Sequence, residues 1–427
     1  MLKISSTFYL ISLLTAPFLY AQQAIDARAA GMAYSNAADT RGLQSVGLNP
    51  ATLALQTSYK FEFNLLSINA TANNNSFKKS QYDRYFTTGN LLSSADIDDI
   101  INSIPAGGLR ADGVAHVNTI SFYVPNFSLS LIGLGTGKVN VPKNVFELPL
   151  KGNTGQQGRI YNFDDAEGSD WVGIGVIASG AYDFKMGENS PLDRMSLGLS
   201  LKYYSGLHFD NVVKSRGELQ NFDLENNKPF INLDGEIELL SADGGGGVGI
   251  DVGVLGIFKE NFTFGITLLN VTSSMSWGTK AERRTLNIHG DSLSLPDRVR
   301  DSLIVDTDTS LALNSFATQL PAIMDFAFAY QPAAKMTVTA EYEQGLNDEM
   351  GGTKRPRVGF GFEYRGIPLL PLRAGFTFGG KTGASFALGA GLNFKNWYVD
   401  AAYLNHGRII PDDFKGIGLA LSSRLRF

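Results

Sequence analysis

Apolar and polar residues alternate with period two along most of this chain. The cleanest stretch sets Met195, Leu197, Leu199, Leu201 and Tyr203 against Ser196, Gly198, Ser200 and Lys202. A β-strand sends successive side chains to opposite faces, so each such run predicts a strand with one apolar face. Similar runs cover 59–70, 116–124, 127–137, 170–184, 194–208, 248–258, 262–277, 322–330, 335–344, 357–365, 372–380, 384–394, 397–405 and 416–427. They amount to about fourteen strands, an even number suited to an all-β, transmembrane antiparallel β-barrel.

The connections sort by parity. Those after odd strands are mostly long: 71–115, 138–169, 209–247, 278–321, 345–356, 381–383 and 406–415. Those after even strands are short: 125–126, 185–193, 259–261, 331–334, 366–371 and 395–396. Long outer loops over short inner turns are the habit of membrane barrels, and a soluble sandwich has no reason to segregate loop length. Residues 231–242 also alternate, but a spanning strand there would invert the parity, so they are assigned to an external loop. In the first long loop, Ser93-Ser94-Ala95-Asp96 reads as a helix N-cap. Ile97, Ile100, Ile101 and Ile104 follow at helical spacing and predict an apolar patch at the barrel mouth.

Within the strands, Val358/Phe360/Phe362/Tyr364, Phe376/Phe378, Phe386/Leu388/Ala390/Leu392/Phe394 and Trp397/Val399/Ala401/Tyr403 are expected to face lipid. The opposite parity holds Lys60, Glu62, Lys202, Glu341, Glu343, Glu363, Arg365, Arg373, Asp400, Arg424 and Arg426. Charges of both signs facing inward suggest a paired, plugged lumen, with structural salt bridges favoured over a ligand role for any one residue. Closure should bring Arg424 and Arg426 near Glu62, or near a carboxylate of the N-terminal stretch such as Asp26 or Asp39.

Residues 1–21 read as a signal peptide, with Lys3 ahead of an apolar run and Pro17 before Ala21. Residues 22–58 precede the strands as a separate, small-residue-rich segment, which the resemblance given below makes a hatch or plug, and 59–427 form the barrel with its long extracellular loops. Cysteine is absent, which excludes disulfides and thiolate metal sites. A net charge of −5 argues against a nucleic-acid partner. No catalytic constellation, metal site or cofactor site is read. The four histidines, at 116, 208, 289 and 406, have no zinc spacing. Residues 244–249, GGGGVG, fit a dinucleotide fingerprint in letters, but a strand pattern follows where a helix is needed. Asp164, Asp165, Glu167 and Asp170 offer oxygen ligands of the kind Ca²⁺ takes, but a solvated surface loop is the favoured reading of them.

Three segments carry resemblances. The last strand ends on Phe427 on its apolar parity, which resembles the signal read by the barrel assembly machinery. The segment Asp26-Ala27-Arg28-Ala29-Ala30-Gly31-Met32, then Ala38-Asp39, then Asn49-Pro50-Ala51 resembles the start of FadL-like outer-membrane barrels. It also resembles the related PorV-like barrel of a secretion system. Ala33 stands where a second glycine is usual, and Leu48 replaces a common aromatic. The resemblance implies a Gram-negative outer-membrane location and a hatch inside the barrel whose motif residues are Arg28, Gly31, Met32, Asn49, Pro50 and Ala51. It further implies either passive uptake of a hydrophobic, fatty-acid-like ligand or a protein-interaction role with secretion-system proteins. Residues 141–153, VPKNVFELPLKGN, resemble a stretch of barrels of this type with no assigned function, which leaves a structural barrel as a third reading.

Overall fold

The computed structural model describes residues 25–89, 91–152, 158–224, 228–294, 304–407 and 413–427. The expected signal segment, 1–21, lies outside them. A 14-stranded antiparallel barrel closes on itself. Its strands are β1 (Glu62–Asn74), β2 (Leu109–Val124), β3 (Phe127–Val141), β4 (Glu167–Lys185), β5 (Arg194–Leu224), β6 (Gly244–Phe258) and β7 (Phe262–Thr279). They continue with β8 (Ile323–Ala333), β9 (Met336–Gly345), β10 (Arg357–Tyr364), β11 (Leu372–Gly379), β12 (Ser385–Phe394), β13 (Trp397–His406) and β14 (Gly416–Arg426). β1 pairs with both β2 and β14, with Glu62 opposite Arg426 in the closing seam. Closure leaves no unpaired strand edge, which is what a hydrocarbon solvent demands of a β-structure.

The outward face is apolar. Leu197, Leu199, Leu201 and Tyr203 are all more than two-fifths exposed, as are Phe360, Leu388, Leu392, Phe394 and Trp397. An exposed band of this kind is far beyond what a water-soluble monomer tolerates and matches the lipid belt of an outer-membrane barrel. At the short-turn rim aromatic rings meet in pairs, Phe61 with Phe427, Phe394 with Trp397 and Phe262 with Tyr330.

The wall of β5 is taller than its alternation predicts. Its first half, from Arg194 to Gly206, pairs with β6, and its second half, from Phe209 onward, pairs with a strand over Lys228–Ala242. That strand pairs in turn with Glu282–Ser294, which pairs with Ile304–Ala312. Residues 231–242 therefore sit in a sheet that rises beyond the barrel, and do not span it.

Three details differ from expectation. β1 begins at Glu62, and Lys60 before it is exposed instead of facing the lumen. A bulge between Asn64 and Leu66 leaves both Leu65 and Leu66 facing outward, so parity changes within the strand. The isoleucine stripe does form a helix, Ser94–Ser103, capped by Ser93, but Ile100, Ile101 and Ile104 are buried. Its polar face is held by Gln81 and Tyr85, which donate to Asp99, and by the Arg84–Asp96 and Lys151–Asp98 ion pairs. Of the stripe only Ile97 remains partly open.

Candidate functional site

Residues 25–55 are buried throughout, apart from a partly open Arg41, and fill the lumen. The first anchor is a short helix, α1 (Ala27–Gly31), capped by Asp26, whose Oδ1 accepts from the Arg28 amide at 2.8 Å. Arg28 reaches the wall. Its Nε and Nη2 donate to the two oxygens of Glu363 at 3.0 and 2.8 Å. Its Nη2 also meets Asp39 at 2.6 Å, which ties the middle of the N-terminal segment to the same guanidinium. Glu363 accepts further from Arg373 and Arg365, each at 2.7 Å. Asp400 bridges Arg373 and Arg424, each at 2.7 Å. Arg424 completes the circuit at Asp26, at 2.5 Å. Arg426 pairs with Glu62 at 2.8 Å, and the other Glu62 oxygen accepts from the Leu43 amide at 2.7 Å. Arginines 28, 365, 373, 424 and 426 thus meet Asp26, Asp39, Glu62, Glu363 and Asp400, and the partly open Arg41 adds a further guanidinium 3.5 Å from Asp39. Opposite charge on every side and multiple hydrogen bonds are the conditions under which buried ions are tolerated.

A second anchor lies on β8 to β10. Arg357 pairs with Glu341 and Glu343 and donates to the carbonyls of Ala33 and Tyr34. Glu341 accepts from the Ala37 amide at 3.0 Å.

Glycines make room for the two sequence motifs. A Cβ on Gly389 would lie 2.8 Å from the Gly31 Cα, so the helix rests directly on the wall backbone. Met32 crosses Gly375 and Gly361 in the same way. On the opposite wall a Cβ on Gly253 would lie 2.0 Å from Asn49 Oδ1, and one on Gly198 would meet Ala51 N at 2.2 Å. Asn49 caps the turn Pro50–Ala54 by accepting from the Ala51 amide, and donates from Nδ2 to the Val254 carbonyl.

The lumen face of β3 to β7 holds a buried Lys202–Asp251 pair at 2.7 Å and, beside it, an apolar cluster that the sequence reading missed. Trp171, Ile132, Ile177, Tyr204, Met275 and Trp277 point inward from β3 to β7 and form one cluster with Ile25, Leu43, Val46 and Leu53 of the N-terminal segment. Phe209, Phe316 and Met350 extend it toward the outer mouth. Trp171 donates to the Met350 carbonyl and Trp277 to Thr318 Oγ1, so both indoles are held by their polar tips. A signal existed: Trp171 stands on the small-residue parity of its strand, with Gly173 and Gly175, opposite Val172, Ile174 and Val176. A large aromatic on the inward face of a barrel marks a lumen that is not uniformly polar.

The interior cavities are small, about 40 Å³ beside Trp171 and Tyr204 and about 30 Å³ beside Tyr34 and His406. The outer mouth is roomier, with a cavity of about 390 Å³ lined by Arg110, Asp112, Arg355, Lys381 and Lys415. Burial and the neighbouring cations hold the Lys381 ammonium down at about 8, against the pull of Asp112 and Asp348. The acidic loop group at 164–170 does not assemble: Asp164 accepts from the Gly217 amide and Asn162, while Asp170 joins His208 and Asp210. Among the described residues, carboxylates also converge at Asp325, Glu341 and Glu343.

No family model matches the chain, and no curated protein matches it in sequence. Solved structures do. The toluene transporter TbuX of Ralstonia pickettii superposes with a TM-score of 0.51 at 14% identity, covering 95% of this chain and 99% of its own. The toluene transporter TodX of Pseudomonas putida gives 0.51 at 11% identity, over 96% and 100%. A FadL homologue of Pseudomonas aeruginosa stands at 0.49 and 12% identity, over 96% and 100%. The fold is that of the TbuX and TodX barrels.

Proposed function

We propose that this barrel carries small hydrophobic molecules passively across the outer membrane, with residues 25–58 as its hatch. The observation that carries the reading is the division of the lumen. One wall is devoted to charge pairs that hold the hatch. The other presents Phe209, Trp277, Met275, Trp171 and Tyr204 in one apolar cluster that reaches Ile25, Leu43 and Val46 of the hatch. Burying indoles and a thioether in a lumen is unnecessary for holding a plug, but it offers an apolar ligand a path of low desolvation cost. Movement of the hatch away from the aromatic wall would open that path, and the charged wall would act as the hinge. Two of the similar barrels named above, TbuX and TodX, are transporters of toluene, which fits a ligand with a small aromatic or aliphatic body.

The chain has three tryptophans, and Trp397 lies on the lipid face while the other two line the cluster. Trp397→Phe therefore leaves tryptophan emission, excited selectively over tyrosine, that reports on the lumen alone. Titration of that variant with toluene or a fatty acid in a non-aromatic detergent should give a saturable quench, reduced in Met275→Ala. Proteoliposomes should take the ligand up faster than empty vesicles. A flat titration together with uptake no faster than in the empty vesicles would sink the reading.

A second reading rests on the sheet beyond the barrel. Its residues carry the Lys214–Glu236, Arg283–Glu238 and Arg284–Asp308 pairs, a charged wall suited to a protein partner. Co-purification of secretion components that is lost on deleting 280–312 would favour that role.

A further inference from the structure

The charged wall has a guanidinium for every carboxylate, but the anchor on β8 to β10 does not. Asp325 lies opposite Glu343, and Glu343 lies opposite Arg357. Glu341 is on the same inward face of β9. Oxygens of Asp325, Glu341 and Glu343 all lie within 4.8 Å of one another. Arg357 is the cation paired with them, at 2.8 Å from Glu341 and 2.9 Å from Glu343. Three carboxylates against one guanidinium leave a formal surplus of two negative charges.

A separate observation points to the same place. Thr267, on β7, lies opposite Asp325 and is 2% exposed. Its Oγ1 has no hydrogen-bond partner among the described residues, and neither has Asp325 Oδ1. Both side chains line one cavity of about 20 Å³, together with Glu343, Arg357, Tyr34 and Ala37. That is the room of a single water or a single desolvated ion. A water would satisfy the hydroxyl and the carboxylate oxygen but would leave the excess charge in a poorly solvated interior, where it is costly. A divalent cation answers both.

We propose that Asp325, Glu341, Glu343 and Thr267 hold a hard divalent cation, Ca²⁺ or Mg²⁺, between the lumen wall and residues 33–37. The donors are all oxygens, which selects hard cations over zinc or copper. The ion would also act on the N-terminal segment. Glu341 holds the Ala37 amide, and Arg357 holds the carbonyls of Ala33 and Tyr34. Ala33 and Tyr34 have φ of 50° and 56°, a turn that non-glycine residues adopt only when their surroundings impose it. Neutralising the carboxylates fixes the groups that impose it, so the cation locks this part of the segment. The site stands whether or not the barrel carries a hydrophobic ligand.

The test compares the full-length mature protein in micelles after EDTA treatment with the same protein in CaCl₂ or MgCl₂. Metal analysis after desalting should find a tightly held cation, and amide exchange across residues 33–37 should slow when it is restored. Asp325→Asn and Glu343→Gln should lose both effects. Thr267→Val keeps every carboxylate and removes one oxygen donor; it should weaken the cation titration by about tenfold or more. Asp210→Asn, at the half-buried Asp170–His208–Asp210 group, should change nothing at residues 33–37. Identical exchange in EDTA and in either cation, with no retained metal, overturns the proposal and assigns the surplus charge to a proton shared by the carboxyls. An unshifted midpoint in Thr267→Val overturns it equally.

Discussion

Arg424 is 1% exposed and serves two carboxylates directly, Asp26 from the N-terminal segment and Asp400 from β13, with Glu62 at 3.7 Å. Removing one member of such a group leaves like charges facing each other without water. Arg424→Met should therefore cost about 3–5 kcal/mol. Urea unfolding followed by loss of heat-modifiable migration on gels would measure it. Arg424→Lys should recover only part, because an ammonium is a point charge and cannot present a fork to two carboxylates. Full stability in Arg424→Met would show the circuit to be dispensable. The contact of Arg426 with Glu62 follows from sequence reasoning alone, since parity places both inward and closure makes them neighbours. The pairing of Arg28 with Glu363 does not follow. Strand periodicity says which way Glu363 points, but the path of residues 25–58 through the lumen depends on where glycines let the backbone approach. Trp171 went unread for a different cause: alternation was used to find the lipid face, and the other face was searched for charge only.

At the scale of elements, the seat of α1 is set by backbone against backbone. Gly389→Val would place a branched side chain where the Gly31 Cα now lies, 2.8 Å from the position of a Cβ. Overpacking of this kind costs about 1–3 kcal/mol and cannot be relieved by a rotamer change. The barrel should still assemble, while trypsin should cut at Arg28 or Arg41, which are protected in the parent. Protection unchanged in the variant would mean that α1 can be displaced without loosening its ion pairs. The sheet beyond the barrel calls for a different measurement. Hydrogen bonds from Arg284 hold Asp308 below the usual carboxylate range, and Lys214 does the same for Glu236. A depressed folded pKa adds stability above the unfolded value, about 4, and that stability is lost as pH falls through the folded value. Pepsin at about pH 2–3, below the unfolded carboxylate range, should therefore cleave within 228–312 and leave the barrel strands intact. Cleavage confined to other loops would contradict this. Sequence placed 231–242 outside the barrel because loop parity forbade another spanning strand. It could not show that β5 continues upward to meet them, because the residues after His208 lose the clean alternation that marks a lipid-facing strand.

For the whole molecule, the governing fact is that one lumen contains two environments. The ion pairs and the aromatic cluster both close on residues 25–58, so that segment occupies the space that any passage through the barrel would use. Without it, Arg28, Asp26 and Asp39 leave together. The wall then retains Lys202, Arg357, Arg365, Arg373, Arg424 and Arg426 against Glu62, Asp251, Asp325, Glu341, Glu343, Glu363 and Asp400. Water can solvate these groups once the lumen is open, so the barrel should survive deletion of 25–58. In planar bilayers the deleted form should conduct steadily, whereas the intact protein should remain closed or flicker. Since positive and negative side chains are nearly equal in number, the current should discriminate only weakly between K⁺ and Cl⁻. A strongly selective current would show that part of this charge is neutralised, and cation preference abolished by millimolar Ca²⁺ would locate the effect at Asp325, Glu341 and Glu343. No current at all would mean that the loops over the mouth, with the helix Ser94–Ser103 among them, close the barrel independently of the segment inside it.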